Sequence, residues 1–259
     1  RPAPPTAAPA SAPAPSSRPA VDTTLRGKTE KMSRLRQVIA ERMIASLQTS
    51  AQLTTVVEVD VTRVAALRGL AKNDFYAKNG TRLTFLPFFV AAATEALKAH
   101  PKINATIDGT QVTYHDVEHI GIAVDTPRGL LVPVIRDAQD RDLKDMAGEL
   151  GRLVKLAKAG RLQPADYSGG TFSITNLDGL GLDAGTPIIS GSESAILAIG
   201  SIRRRPWVIE RNGQELIEPR WTTAMSLSFD HRLIDGAEAA RFLADLAALI
   251  TDPGLAMMY

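Results

Sequence analysis

Apolar residues recur at helical spacing in several stretches of the chain and alternate with polar ones in others. From Met32 onward, Leu35, Val38, Ile39, Met43 and Leu47 form one stripe between Arg34, Arg36, Glu41 and Arg42, which predicts an amphipathic helix. Thr54–Val61 alternates Val57, Val59 and Val61 with Glu58 and Asp60, the pattern of a half-buried strand. Thr62 is placed to cap a following helix that carries Val64, Leu67 and Leu70. Leu86–Ala99 is apolar nearly all round, and Pro87 suits its first turn, so a buried helix is expected that ends before Pro101. Leu143–Ala159 puts Met146, Leu150, Leu153 and Leu156 on one face. A last helix, from about Ala237 to Thr251, turns Phe242, Leu243, Leu246 and Leu249 inward.

Short strands are expected at Ile103–Ile107, Gln111–Tyr114, Ile120–Val124, Leu130–Ile135, Gly170–Thr175, Ser194–Ser201, Val208–Ile209, Glu215–Ile217 and Thr222–Phe229. Gly109 and Arg128-Gly129 mark turns, and Asn212-Gly213 between two short strands is a hairpin signal. Helices mixed with many short, hairpin-linked strands give an α+β class, a two-layer α/β sandwich with a mixed, mainly antiparallel sheet.

Residues 1–20 break this pattern. They are almost entirely Pro, Ala and Ser, with seven of the 16 prolines of the chain. Such a segment lacks the large side chains whose burial offsets ordering entropy, and alternating Ala-Pro favours extended polyproline II. Residues 1–28 therefore read as a linker and 29–259 as the folded domain, with the expectation that something was tethered upstream. The charge divides in the same way. Arg1, Arg18, Arg26 and Lys28 against Asp22 give the linker +3, so the remainder carries 2 − 3 = −1. That balance argues against a nucleic-acid-binding body, which needs a dense basic face. Arg203-Arg204-Arg205 is the only tight basic cluster and reads as a solvated turn. No apolar run approaches 18 residues, so no membrane span is expected. The 259 residues include no Cys, which removes disulfides, thiolate metal sites and a cysteine nucleophile. The cytoplasm is the default compartment.

Few motifs carry chemistry. No Walker loop is present, and Gly179-Leu180-Gly181 lacks the third spaced glycine of a dinucleotide fingerprint. His115 and His119 lie on strand and turn, where a spacing of four does not align two rings, so they read as satisfied surface histidines and no metal site is expected. His100 stands at a helix end, where a cation is favoured. The informative stretch is Ser226 to Gly236. A strand ends at Asp230 and a helix begins near Gly236, so His231 sits on the link, where scaffolds present reactive groups. Histidine is the side chain that titrates nearest neutrality and the usual general base. Asp235, four residues on, could fix the turn or hold the imidazole. The plain alternative is a capping Asp beside an exposed His.

His231-Arg232-Leu233-Ile234-Asp235-Gly236 resembles the H-R-x-x-D-G signature of dihydrolipoamide acyltransferases, the cores of 2-oxo acid dehydrogenase complexes, which share a fold with chloramphenicol acetyltransferase. Other segments agree in the same order. Met32–Met43 resembles the family's opening helix, and Leu83-Thr84-Phe85-Leu86-Pro87-Phe88-Phe89 its first buried helix. Asp125-Thr126-Pro127-Arg128-Gly129-Leu130-Leu131-Val132-Pro133-Val134 resembles its D-T-x-x-G-L-x-x-P-V turn, and Ser168–Asn176 its S-G-G-T-F-T-I-[ST]-N strand. The similarity runs from about Thr29 to the C-terminus.

The resemblance implies transfer of an acyl group between dihydrolipoamide, carried on a lipoyl domain upstream and absent from this chain, and coenzyme A as the second substrate. It implies that His231 takes the thiol proton, that Thr175 donates to the oxyanion, and that Asp235 orients the loop. Without the family, Thr175 would pass for an ordinary strand threonine. It further implies coenzyme contacts at Arg68, Thr84, Asp125, Asn176, Gly179, Gly200 and Ile202. Its sites lie between subunits of a trimer, which in relatives assembles further into a 24-mer or 60-mer cage. Decarboxylase and dihydrolipoamide dehydrogenase subunits are the other implied partners. This sequence departs from the pattern at Asp178, which stands where relatives have glycine, and at Thr186–Glu193, which lacks paired prolines. Asp252–Tyr259 keeps an Asp-Pro start and apolar end, but Gly254 and Ala256 weaken the contact that builds a cage. A non-catalytic tethering paralogue and an acetyltransferase for a small free acceptor are the alternatives. The identity of the acyl group is not legible.

Overall fold

The structure, a computed structural model, describes residues 23–254. The chain divides between Ser33 and Arg34. Before that point it forms a short turn, in which Arg26 and Lys28 donate their N–H groups to the carbonyls of Thr23 and Leu25. Most of the linker, and the C-terminal residues Leu255–Tyr259, lie outside the described residues.

From Arg34 the order is α1 (Arg34–Thr49), β1 (Gln52–Asp60), α2 (Thr62–Asn79), α3 (Leu86–Ala99), β2 (Ala105–Asp108), β3 (Gln111–Tyr114), β4 (Ile120–Thr126), β5 (Gly129–Leu131) and β6 (Val134–Ile135). Then follow α4 (Leu143–Lys158), β7 (Phe172–Asn176), β8 (Ala195–Ile199), β9 (Arg203–Arg211), β10 (Gln214–Asp230) and α5 (Gly236–Thr251). The main sheet runs β1-β10-β8-β7-β4-β5, with β6 on β4 and β9 on β10, while β2 and β3 form a separate hairpin. β7 is parallel to both β4 and β8. Among the described residues every other pairing in the main sheet is antiparallel. This is the expected mixed, mainly antiparallel α+β sandwich.

The core forms where α3, α4 and α5 cover one face of the sheet. Phe89, Leu97, Leu153, Phe242 and Leu246 from the helices meet Ile122, Phe172, Ile174, Leu197, Leu227 and Phe229 from the strands. Each such buried side chain contributes about 1.5–3 kcal/mol. Side chains alternate along a strand, so Phe172, Ile174 and Asn176 of β7 face the helices while Ser173 and Thr175 face the other way. Gly200, just after β8, permits a close backbone approach. A Cβ there would lie 1.9 Å from the Asp183 carbonyl oxygen.

Several boundaries differ from the pattern reading. The stretch 103–107 is half turn, and β2 begins only at Ala105. The run 130–135 is two strands, broken at Val132-Pro133; Pro133 has no N–H to donate, and its carbonyl instead accepts from Ile122. The three short segments after residue 207 are one long hairpin, whose 17-residue β10 pairs Pro219 with Pro206 in β9. Two residues without N–H groups sit there without loss because β9 is an edge and β1 reaches only to Thr222. Asn212 and Gly213, both at positive φ, make the turn. Arg203-Arg204-Arg205 is strand rather than turn: Arg205 pairs with Glu58 and Asp183 and Arg203 with Asp183, so two of the three charges are offset by neighbouring acids. Thr62 does not cap α2. Asp60 accepts from the Thr62 N–H, and the Thr62 hydroxyl accepts from the Trp221 N–H. The stripe of α1 is only partly covered in a single chain, with Val38 and Leu47 exposed.

Candidate active site

His231 is presented by a rigid turn. Its N–H donates to the Ala51 carbonyl, 2.8 Å away, continuing the β1–β10 ladder by one step. Asp230, buried beneath it, accepts from Arg232 Nε at 3.0 Å and Nη2 at 2.6 Å, from the Arg232 N–H and from the Ala51 N–H. Burial pushes the Asp230 carboxyl upward, but these bonds outweigh it and hold the carboxyl below the usual range. Leu233 and Ile234 then donate to the Asp230 carbonyl, and the Ile234 side chain is fully buried. The imidazole itself is exposed, 5.9 Å from the Phe229 ring.

Asp235 closes the turn as the N-cap of α5. It accepts from the Glu238 N–H at 2.8 Å while Glu238 accepts from its own N–H. The structure thus gives it the loop-fixing role. Asp235→Ala is expected to lower stability by about 1 kcal/mol, with Asp235→Asn close to neutral, checked by thermal unfolding.

Thr175 lies on the sheet face opposite the helices and is half-buried. It is level with Ala198, which is level with Ser226 in β10. His231 stands 231 − 226 = 5 residues further along β10 and two strands across. At about 3.4 Å per residue and 4.8 Å per strand the two side chains are on the order of 20 Å apart. One chain cannot bring them together.

On the helix side, at the ends of β7 and β8, a cavity of about 570 Å³ opens between α2, α3 and α4. Of the seven positions where the resemblance implies coenzyme contacts it collects five: Arg68, Thr84, Asn176, Gly179 and Ile202. Arg68 donates Nε to the Leu83 carbonyl and stacks over Phe85 at 4.7 Å. Asp125, exposed and paired in register with Leu130, and Gly200, packed against Asp183, are outside the lining. Asp178, the residue in place of a glycine, lines the cavity but spends its carboxylate on the Ile202 N–H at 2.9 Å. It thereby ties the turn after β7 to the chain after β8. Pattern reading missed Thr81, Arg82, Gly151 and Val154, which are also part of the wall. A glycine inside an apolar-striped helix signals close approach, and Gly151 indeed faces Thr81, whose Cγ2 would meet an added Cβ at 3.3 Å.

The remaining histidines are engaged in structure. His115 Nε2 meets the Thr106 hydroxyl, His119 Nδ1 accepts from the Asp137 N–H, and His100 Nε2 meets Asp245 at 2.8 Å. Among the described residues no three His, Cys, Asp or Glu side chains are grouped to hold a metal. Glu193 was missed altogether. It precedes β8 and is half-buried with its carboxylate turned inward, accepts at Oε1 from the Ser173 hydroxyl at 3.0 Å, and leaves the buried Oε2 without a partner. Burial pushes its carboxyl up to about 8.

A mixed sheet covered on one face by helices, with a cavity at the ends of its parallel strands and a histidine on the strand-to-helix turn, defines an acyltransferase-type sandwich. Chloramphenicol acetyltransferase shares the fold, with a TM-score of 0.51, 16% identity and coverage of 81% of this chain and 94% of that one. Residues 25–258 match the family described as 2-oxoacid dehydrogenases acyltransferase (catalytic domain), and the chain belongs to that family. It is 47% identical over 225 residues to the dihydrolipoyllysine-residue acetyltransferase component of the pyruvate dehydrogenase complex of Mycobacterium bovis, covering 86% of this chain and 41% of that protein. It is 45% identical to a succinyltransferase component of the 2-oxoglutarate dehydrogenase complex of Rickettsia bellii, covering 86% and 55%. The chain therefore spans between about two fifths and little more than half of these relatives. The dihydrolipoamide acetyltransferase of Azotobacter vinelandii superposes with a TM-score of 0.82 at 34% identity, covering 94% of this chain and 99% of that one. In that enzyme a serine, a histidine and an asparagine four positions after the histidine have been investigated for the catalytic mechanism. A structure of the cubic core of the pyruvate dehydrogenase complex superposes equally well, with the same TM-score of 0.82.

Proposed function

We propose that the chain is an acyl-transferring core that moves an acyl group from dihydrolipoamide on a lipoyl domain to coenzyme A within a 2-oxo acid dehydrogenase complex. The observation that carries this reading is the cavity. It draws Arg68, Thr84, Asn176, Gly179 and Ile202 from four separate parts of the chain to one place, at the end of the strand that carries Thr175 on its other face. Thr175, His231 and Asp235 take the order of the serine, histidine and asparagine of the Azotobacter enzyme, with the same spacing of four between the last two. Asn and Asp are equally good N-caps, so the exchange at that position keeps the turn.

In this mechanism the His231 imidazole accepts the proton of the coenzyme A thiol. The thiolate attacks the thioester carbonyl, the Thr175 hydroxyl donates to the resulting oxyanion, and collapse expels the dihydrolipoamide sulfur, which takes the proton back from the imidazolium. A thiol is mostly protonated at neutral pH, so the attack needs a base within reach of it. The donor–base separation within one chain supports a site built from two copies, with His231 of one meeting Thr175 of the next in a trimer. The cubic relative supports further assembly into a cage. Lipoyl domains, decarboxylase and dihydrolipoamide dehydrogenase are the partners this role requires.

Turnover of coenzyme A with acetyl-, succinyl- and branched-chain acyl-dihydrolipoamide tests the reading and assigns the acyl group. At least one is expected to react. Failure of all three in an assembled protein would leave the tethering role, and transfer only to a small free acceptor would leave the third.

A further inference from the structure

Glu193 takes no part in the proton transfers, yet its carboxyl stands at the foot of the strand that carries Thr175. We infer that Glu193 is a positioning residue for acyl transfer: as a neutral acid it braces β7 through Ser173, and as an anion it slows the reaction at Thr175. The inference rests on the acyltransferase reading and adds to it a dependence on the protonation of a residue that touches no substrate.

Three observations carry it. First, donors are too few for an anion. An ionised carboxylate accepts at both oxygens. Here Oε1 accepts from the Ser173 hydroxyl at 3.0 Å, while the buried Oε2 has no partner. A charged Oε2 would be stranded there, whereas a neutral acid carries a hydrogen on it. Burial raises the carboxyl, the Ser173 bond lowers it, and burial prevails with no charged group in the balance. The titratable groups around it are engaged elsewhere. Thr106 of β2 faces Glu193 across an isolated bridge, and its hydroxyl meets His115 Nε2. His119, whose carbonyl lies beside Gly170, accepts at Nδ1 from the Asp137 N–H. Asp230, which donates its N–H to the Ser194 carbonyl, is held by Arg232, and the His231 ring beyond it is exposed. β6 presents Val134 and β7 presents Ser173.

Second, space is cleared for the pair. A Cβ on Gly170 would lie 3.2 Å from Glu193 Oε1 and 3.4 Å from Val134, and one on Gly121 only 2.8 Å from the Ser173 hydroxyl oxygen. Gly121 is inside β4, where glycine weakens a strand. Neither glycine has a positive φ. It is the clearance, not the backbone, that calls for glycine at both places.

Third, the carboxyl is fixed within electrostatic reach of the oxyanion. The bridge to Thr106 holds its backbone, and the next residue, Ser194, fastens it to the turn that presents His231, with the Asp230 N–H 2.8 Å from the Ser194 carbonyl. Thr175 is two residues past Ser173 on the same face, so its hydroxyl is on the order of 10 Å from the carboxyl. At that range and an effective dielectric of about 20, a negative charge slows formation of an oxyanion by about tenfold.

The test is the pH profile of kcat for coenzyme A and acyl-dihydrolipoamide, both saturating, in the assembled protein, with assembly verified by light scattering at each pH. The ratio of Glu193→Gln to parent is read, which cancels the ionisation of the thiol and of His231. Gln accepts from Ser173 and cannot ionise. The ratio should climb by about tenfold from about pH 7 to about pH 9.5, with its midpoint at about 8. Ser173→Ala removes the bond that lowers the carboxyl, so its kcat should fall at a higher pH than that of the parent. A role in packing alone would move neither limb. A flat ratio in a working parent overturns the inference alone, and so does an alkaline fall that Ser173→Ala leaves at the parental pH. If the parent transfers no acyl group at any pH, the acyltransferase reading fails and takes the inference with it.

Discussion

His231→Ala is expected to cut acyl transfer by about 10³-fold while leaving assembly intact, because a positioned base is worth about 10² to 10⁴. The turn that holds the ring does not depend on it. The Asp230–Arg232 pair, the buried Ile234 and the Asp235 cap all remain, and the exposed imidazole is not part of the core. Thr175→Ala should cost about 3 kcal/mol of barrier, or about 10²-fold. Mixing the two variants is more telling than either alone. If each site takes His231 from one copy and Thr175 from the next, unfolding and co-assembling equal amounts should restore about a quarter of parental activity, since one junction in four carries both intact groups in a head-to-tail ring. Absence of recovery in verified mixed trimers would refute the shared site, whatever the single variants do.

The second large effect concerns Glu193. In the unfolded chain its carboxyl releases a proton near the ordinary value of 4.5, and in the fold only at about 8. Between those values the unfolded state alone has lost the proton, so the native state binds more protons and stability falls as pH rises. The loss accumulates across the window and levels off above about 8. At about 1.4 kcal/mol per unit it reaches on the order of 5 kcal/mol. Glu193→Gln removes this contribution while still accepting from Ser173. At pH 8 the variant should melt roughly 10 °C above the parent, and at pH 4 the two should nearly coincide. Parallel melting curves at every pH would show that Glu193 ionises normally. Glu193→Ala, which orphans Ser173 and opens a void, should destabilise at pH 4.

The helices were legible because their apolar stripes are simple. Leu86–Ala99 matched to the residue, and the other two core helices to within one. The β9–β10 hairpin was legible at its Asn212-Gly213 turn but not in its length, because much of its outer half stays exposed. Val208 and Ile217 pair across it yet stay in solvent, so apolar residues there do not mark the buried face. The arginine triplet misled for a related reason: its acids, Glu58 and Asp183, are distant in sequence. His231 and Asp235 could be placed by local pattern alone. The cavity could not, since Arg68 and Ile202 are joined only by the tertiary fold, and those positions came from resemblance. Glu193 gave no signal, because burial of a carboxyl by Ser173 and Gly170 leaves no trace in its own neighbourhood of the sequence.

One strand divides the chemistry between two compartments. Asn176 belongs to the helix-side cavity and Thr175, its immediate neighbour, to the far face of the sheet. The assignment depends on parity alone. Inserting a single residue between Phe172 and Ile174 would leave every downstream element correctly folded in sequence terms, yet it would hand the amide to one chamber and the hydroxyl to the other in exchange. Parallel partners on both flanks of β7 make that slip expensive, since both ladders would have to move with it. The short buried strand thus acts as an indexing pin for the reaction, and length changes should be far worse tolerated there than at the β9–β10 tip.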